Sequence, residues 1–410
     1  MQNMPMSLTL VFHDTSQPAL YGALAAAVAR CQSARLLHLS AVFPLALGAD
    51  AAQHIAVQGA LVPSGLLWYE RLTGGEIGAP SSASGIVAAA GDSAVVVPWH
   101  SSVQDAADLD SLLALASLHG LPVRRWYVEE REDHWRLCDA HGAVSPYGLW
   151  RRDDAGRLVS ADCATAEKYT AKPALRIALI GAAQDQCEVY PANLAALGDA
   201  ADALGVGLDI RFIAPHSFAH EDLQDVDGVV LPGGSDMGNV PGQLAVARQT
   251  LRERIPTLGL CLGMQTMATA LAQSLPGGHE ANLAEAAPQA PLKSFVPLAQ
   301  FPGLPVHRLG RRPLRVTDPQ FAILIGAAPE IRCNHRFMLN PALVPLLCSN
   351  GMRIAATDRS GRIADAIIYS GHPFYIGMQG HPEQGSRPGA PHPLVTAFLA
   401  AVRGHAGRPV

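Results

Sequence analysis

Lysine is almost missing from this 410-residue chain: of its 30 basic side chains, only Lys168, Lys172 and Lys293 are lysines. None of the three follows a glycine-rich loop, which excludes a nucleotide site built on a P-loop lysine. Charge of either sign is sparse, at 16% of residues with a net charge of −5, so no chain-wide basic field invites nucleic acid. The seven cysteines (31, 138, 163, 187, 261, 333 and 348) are odd in number and form no CxxC pair. That argues against a disulfide scaffold or a zinc ribbon and for a reduced, cytoplasmic setting. No apolar run approaches the ~18 residues that span a bilayer. The opening MQNMPMSLTLVFHD has no basic segment followed by an apolar one, so neither a membrane span nor a secretory signal is expected.

What the chain does have is apolar material, 49% of its residues, enough for substantial cores at a length of roughly two domains. Residues 1–170 read as a smaller α/β domain. Ser7–Phe12 is a strand, a helix starts near Pro18, Ala94–Val97 is a strand, Asp105–His119 a helix and Val123–Val128 a strand. Turn signals at Asp139–Gly142 and Asp153–Gly156 then mark a hairpin-like end. Polar clusters such as His100-Ser101-Ser102 show no recognisable catalytic spacing and read as loops and caps. The polar segment Thr165–Pro173 is the expected linker.

From residue 174 to about 405 the pattern is regular. Strands at Leu175, Leu208–Ile213, Gly228–Leu231 and Thr257–Leu260 alternate with helices at Tyr190–Leu204, Val240–Arg254 and Leu262–Leu275. Such alternation predicts a mainly parallel sheet with helices on both faces. Its chemistry belongs beyond the carboxyl ends of the strands.

The strongest such position is Thr257-Leu-Gly-Leu-Cys-Leu-Gly-Met-Gln265. An apolar strand runs into Cys261 and a helix follows at once, with Gly259 and Gly263 flanking the cysteine as in a nucleophile elbow. A helix N-terminus favours the thiolate, and the Leu262 amide points to where an oxyanion would form. A second strand, Phe374–Gln379, leads into Gly380-His381-Pro382-Glu383, an imidazole with a carboxylate two residues on. That fits a base and its orienting group. His372-Pro373 and His392-Pro393 look similar but lack the adjoining carboxylate. A third strand ends in Pro232-Gly233-Gly234, where a bare backbone amide can approach a substrate. No HExxH or Cys/His ligand spacing supports a metal site.

Taken in order, LPGG, LGLCLGMQ and HPE resemble the class I (triad) glutamine amidotransferases, in particular the glutaminase half of CTP synthases. The tail HPEQGSRPGAPHPL is similar to the ending of that half. The resemblance covers about Leu175 to Val402 and implies a flavodoxin-like fold. It implies Cys261 as nucleophile, His381 as general base and Glu383 as its partner, with Gly234 and Leu262 as oxyanion donors. It further implies Gly233, Gln265, Glu285 and Arg336 as glutamine-binding groups, Glu285 for the ammonium and Arg336 for the carboxylate. No cofactor is implied. The ammonia acceptor would be a domain or partner protein, and homo-oligomerisation is left open. Hydrolysis of another γ-glutamyl amide and a catalytically silent binding module are the alternatives. The family's ATP-dependent synthetase domain has no counterpart in the first 170 residues, and Ser235 and Asp236 depart from the family's glycine-aromatic string.

Overall fold

The computed structural model describes residues 6–44, 52–132, 134–161, 174–326 and 329–407. The expected linker, Thr165–Pro173, lies outside them. The described chain forms two compact units. One holds the residues up to 161 together with Gln184–Ala195; the other holds 174–183 and the chain from Ala196 onward.

The first unit is built on a seven-stranded sheet. Ser7–Phe12 is an inner strand, parallel to Ala94–Trp99 on one side and to Val123–Arg131 on the other. Arg35–Leu36 is the parallel edge beyond Ala94–Trp99. The other flank is antiparallel: His134–Cys138, Trp150–Arg152 and Leu158–Ser160 follow in sequence order. The two predicted turns are there for a visible reason. Asp139 accepts the His141 and Ala143 amides through Oδ1, and Asp153 accepts those of Ala155 and Arg157, the short-range bonding that makes aspartate a turn residue. The helix expected from Pro18 starts later, at Ala23–Gln32, because Gly22 adopts φ 74° and breaks the chain after the short 3-10 turn Pro18–Leu20.

The second unit has an eight-stranded sheet. Gly207–Phe212, Ala174–Leu179, Gly228–Leu231, Thr257–Leu260 and Tyr375–Met378 run parallel in that spatial order. Three antiparallel strands, Ala364–Tyr369, Met352–Thr357 and Arg315–Val316, extend the far edge. The central parallel strands are buried along their whole length, as expected where helices cover both faces. Helices Val240–Glu253 and Leu262–Gln273 pack on one face and Pro393–Ala406 on the other. Two small additions complete the unit. One is a three-stranded sheet of Ala281–Leu283, Leu292–Pro297 and Phe337–Leu339; the other is an antiparallel ribbon of Arg308–Pro313 and Glu330–His335. Among the described residues no helix is long and apolar enough to cross a membrane.

Candidate active site

The turn after Thr257–Leu260 is forced by close packing. A Cβ on Gly263 would sit 1.9 Å from the Leu231 carbonyl oxygen, and one on Gly259 would sit 2.2 Å from the Met267 sulfur and 2.8 Å from the Gly263 backbone. Only glycine fits either position. Between them Cys261 takes φ 50° and ψ −105°, a left-handed conformation that costs a non-glycine residue about 1–3 kcal/mol. Two hydrogen bonds hold it there: its amide donates to the Met378 carbonyl at 2.8 Å, and its carbonyl accepts from the Gln265 amide at 3.2 Å. The thiol thus stands at the start of helix Leu262–Gln273, where the Leu262 amide has no intrahelical acceptor.

His381 follows the neighbouring strand, Tyr375–Met378. Its Nδ1 lies 2.7 Å from Glu383 Oε1, and its ring stands within electrostatic reach of the Cys261 sulfur. Burial would by itself push the imidazole down, but the Glu383 carboxylate and the Cys261 sulfur outweigh it and hold His381 well above the usual histidine range. Gly233 confirms how tightly these groups converge. A Cβ there would lie 3.1 Å from His381 Cε1 and 3.2 Å from Cys261 Cβ, whereas one on Gly234 would meet nothing within 4 Å. The sulfur, the imidazole and the carboxylate therefore meet at one rim of the sheet, with Gly233 against them and open space at Gly234. The turn is anchored through Gln243, which donates to the Pro232 carbonyl at 3.2 Å and accepts from Thr266 at 3.3 Å.

The Glu330–His335 ribbon strand borders the same rim. The Arg332 carbonyl accepts the His381 amide at 2.8 Å, and the Asn334 carbonyl accepts the Cys261 thiol at 3.8 Å. Alternate carbonyls of a strand point to the same side, so one strand edge grips both groups. Arg336 follows at once and is exposed. Glu285 lies two residues beyond strand Ala281–Leu283; partial desolvation pushes its carboxyl up, opposed by the nearby positive charge of Arg336. One carboxylate and one guanidinium thus stand within electrostatic reach, the pairing that an amino acid's ammonium and carboxylate require. The Gln265 side chain is buried in the first turn of the helix. Asp236, by contrast, caps its own turn by accepting the Gly238 amide at 2.8 Å.

Two features have no counterpart among the residues singled out from sequence. Gln379, fully buried, donates its Nε2–H to the Cys261 sulfur at 3.9 Å, and its backbone amide is held by the Asp365 carbonyl at 2.8 Å. Its place two residues before His381 is the one sequence signal it offered. Beneath lies a buried ion pair: Arg308 Nη1 and Nη2 meet the two oxygens of Asp365, which is wholly buried. Arg308 also faces His335 Nε2 at 3.4 Å, while His335 Nδ1 donates to the Phe337 carbonyl at 2.8 Å. Burial and the Arg308 charge press His335 down to about 3, so it serves as a neutral strut. Among the described residues no cluster of histidine, cysteine and carboxylate side chains is arranged to hold a metal.

The description of the glutamine amidotransferase class-I family matches residues 193–401, half of the chain. The chain belongs to this family. Curated relatives of this amidotransferase include the CTP synthases of Cyanothece sp., 34% identical over 58% of this chain and 45% of the relative, and of Acidothermus cellulolyticus, 33% identical over 57% and 45%. The chain spans about half the length of the curated relatives it matches. Among solved structures it is similar to the glutaminase domain of Trypanosoma brucei CTP synthase with bound acivicin, with 25% identity, a TM-score of 0.53, and coverage of 58% of this chain and 96% of that one. The amidotransferase region is therefore an α/β domain of the class I, flavodoxin-like type.

Proposed function

We propose that this chain hydrolyses the side-chain carboxamide of glutamine to glutamate and ammonia, using Cys261, His381 and Glu383. The observation that carries the reading is the imidazole of His381, bonded to the Glu383 carboxylate and converging with Cys261 on Gly233. His381, held above its usual range, draws the proton from the Cys261 thiol and so forms the thiolate. The thiolate attacks the carboxamide carbon, and the developing oxyanion is met by backbone amides at Gly234 and Leu262. His381 gives its proton to the departing nitrogen, and ammonia leaves a γ-glutamyl thioester. The same imidazole then takes a proton from water, which attacks the thioester and releases glutamate.

In this reading Glu285 receives the substrate ammonium and Arg336 its carboxylate, with Gly233 and Gln265 shaping the pocket between them. Ammonia passes to an acceptor held by a second domain or a partner protein in the cytoplasm, and residues 1–170 and 174–405 act as the two functional domains. The test is ammonia release from glutamine by wild type and Cys261→Ala. Release by the wild type alone supports the reading; equal slow release by both overturns it.

A further inference from the structure

The sheet of the first unit has a carboxyl edge of its own. Ser7–Phe12 and Ala94–Trp99 are adjacent parallel strands. The helix after the first, Ala23–Gln32, joins the core that contains Val11 and Val96. The helix after the second, Ala106–Leu118, joins the core that contains Leu10 and Val97. Alternate strand residues face opposite sides, so the chain leaves these two neighbours toward opposite faces. That is a topological switch point, where open α/β sheets bind ligands.

Among the described residues, the segments leaving the two strands carry four buried side-chain atoms with no hydrogen-bond partner: His13 Nδ1, Gln17 Oε1, Tyr21 OH and Gln104 Nε2. Tyr21 is 1% exposed and Gln104 8%. An unsatisfied buried polar group costs about 1–3 kcal/mol, and proteins leave few; four at one edge call for a common partner. Hydrogen bonds and ring contacts tie the two segments together. Gln104 Oε1 accepts the His100 amide at 2.8 Å, and His100 Nε2 donates to the Thr15 carbonyl at 2.8 Å. The Gln17 amide donates to Thr15 Oγ1 at 3.1 Å. Phe43 meets Tyr21 and His100 edge-on, with ring centroids 5.9 and 5.6 Å away.

The chemistry of these atoms restricts what could satisfy them. Gln104 Nε2 can only donate and Gln17 Oε1 can only accept, while the hydroxyl does both. Neither segment, 13–21 or 100–104, contains lysine or arginine. The carboxylate present, on Asp14, is engaged by the Ser101 amide and hydroxyl at 2.7 and 2.8 Å and would repel an anion. We propose that this edge binds a small, flat, uncharged ligand presenting a carbonyl beside an N–H, a carboxamide or lactam edge. Gln104 donates to the carbonyl, Gln17 accepts the N–H, and the Tyr21, Phe43 and His100 rings form the wall. The proposal is independent of the glutaminase reading.

The experiment is calorimetric titration of the full chain with uracil and 2-pyridone, with uridine 5′-monophosphate for comparison. Saturable binding of the lactams is expected, with the phosphate weaker. Gln104→Glu keeps an acceptor for the His100 amide but removes the donor, and should weaken lactam binding about tenfold or more. Tyr21→Phe removes a hydroxyl with no partner among the described residues, so it should weaken binding while leaving the melting temperature of the free protein equal or higher. If Gln104→Glu fails to fold, Tyr21→Phe decides. Absence of saturable lactam binding, tighter binding of the phosphate, or wild-type affinity in the variants would overturn the proposal. So would a lowered melting temperature of Tyr21→Phe with unaltered binding, which would assign the hydroxyl to an internal water.

Discussion

The Nδ1 of His381 and the Oε1 of Glu383 are 2.7 Å apart, with one proline between the two residues. The short turn Pro382–Gly385 makes this contact local, so the orienting group travels with the base. Glu383→Gln should keep the fold and the ring position but weaken the charge that favours the imidazolium. Ammonia release should fall about 10²–10⁴-fold, with most of the loss in kcat. A loss confined to KM would remove Glu383 from the chemistry.

The raised proton affinity of His381 also predicts a pH dependence of stability. Its ordinary value is 6.5 and its folded value lies well above that. The stabilisation is therefore fully present below about pH 6.5 and is lost as pH rises through the folded value. Chemical denaturation from pH 6 upward should show wild type losing stability on this limb. His381→Gln should lack that slope. Parallel slopes in the two proteins would contradict the assignment.

Cys261 at φ 50° gives an inverted expectation for substitution. Glycine is normally the less stable replacement, yet here Cys261→Gly should be more stable than Cys261→Ala by about 1 kcal/mol, because alanine keeps the backbone strain and glycine does not. Thermal melts of the two inactive variants decide it. A lower melting temperature for the glycine variant would show that the turn is unstrained.

The amide of Gln379 points a donor at the sulfur. Gln379→Leu keeps comparable bulk but removes the N–H, so alkylation of Cys261 by iodoacetamide at neutral pH should slow by up to about tenfold, the scale of one hydrogen bond. Alkylation at the wild-type rate would reduce Gln379 to a packing residue.

Arg308 and Asp365 form a pair in which Asp365 is wholly buried. Arg308→Met leaves that carboxylate unpaired and should cost about 3–5 kcal/mol, whereas the double change Arg308→Met with Asp365→Leu should recover most of the loss. Denaturant midpoints measure both. No recovery in the double variant would mean that the ion pair itself holds the ribbon.

Much of this was legible in the sequence wherever local chemistry and chain pattern agreed. Strand Thr257–Leu260, the glycines around Cys261 and the HPE turn announce themselves because steric need and bonding act within a few residues. Gln379 and the Arg308–Asp365 pair did not, since their meaning depends on contacts 118 and 57 residues away. The antiparallel strands Met352–Thr357 and Ala364–Tyr369 were likewise silent: they extend the parallel core, and no alternation with helices marks them. The first unit's loops read as caps, and several are; that four polar atoms there lack partners is visible only in three dimensions.

The strand that carries Arg332 and Asn334 works as a jig. It holds the base and the nucleophile through two main-chain oxygens, at a spacing dictated by peptide geometry. Deleting or inserting a single residue upstream would turn those oxygens to the opposite side and release both groups at once. At this place the gene is held to a fixed length.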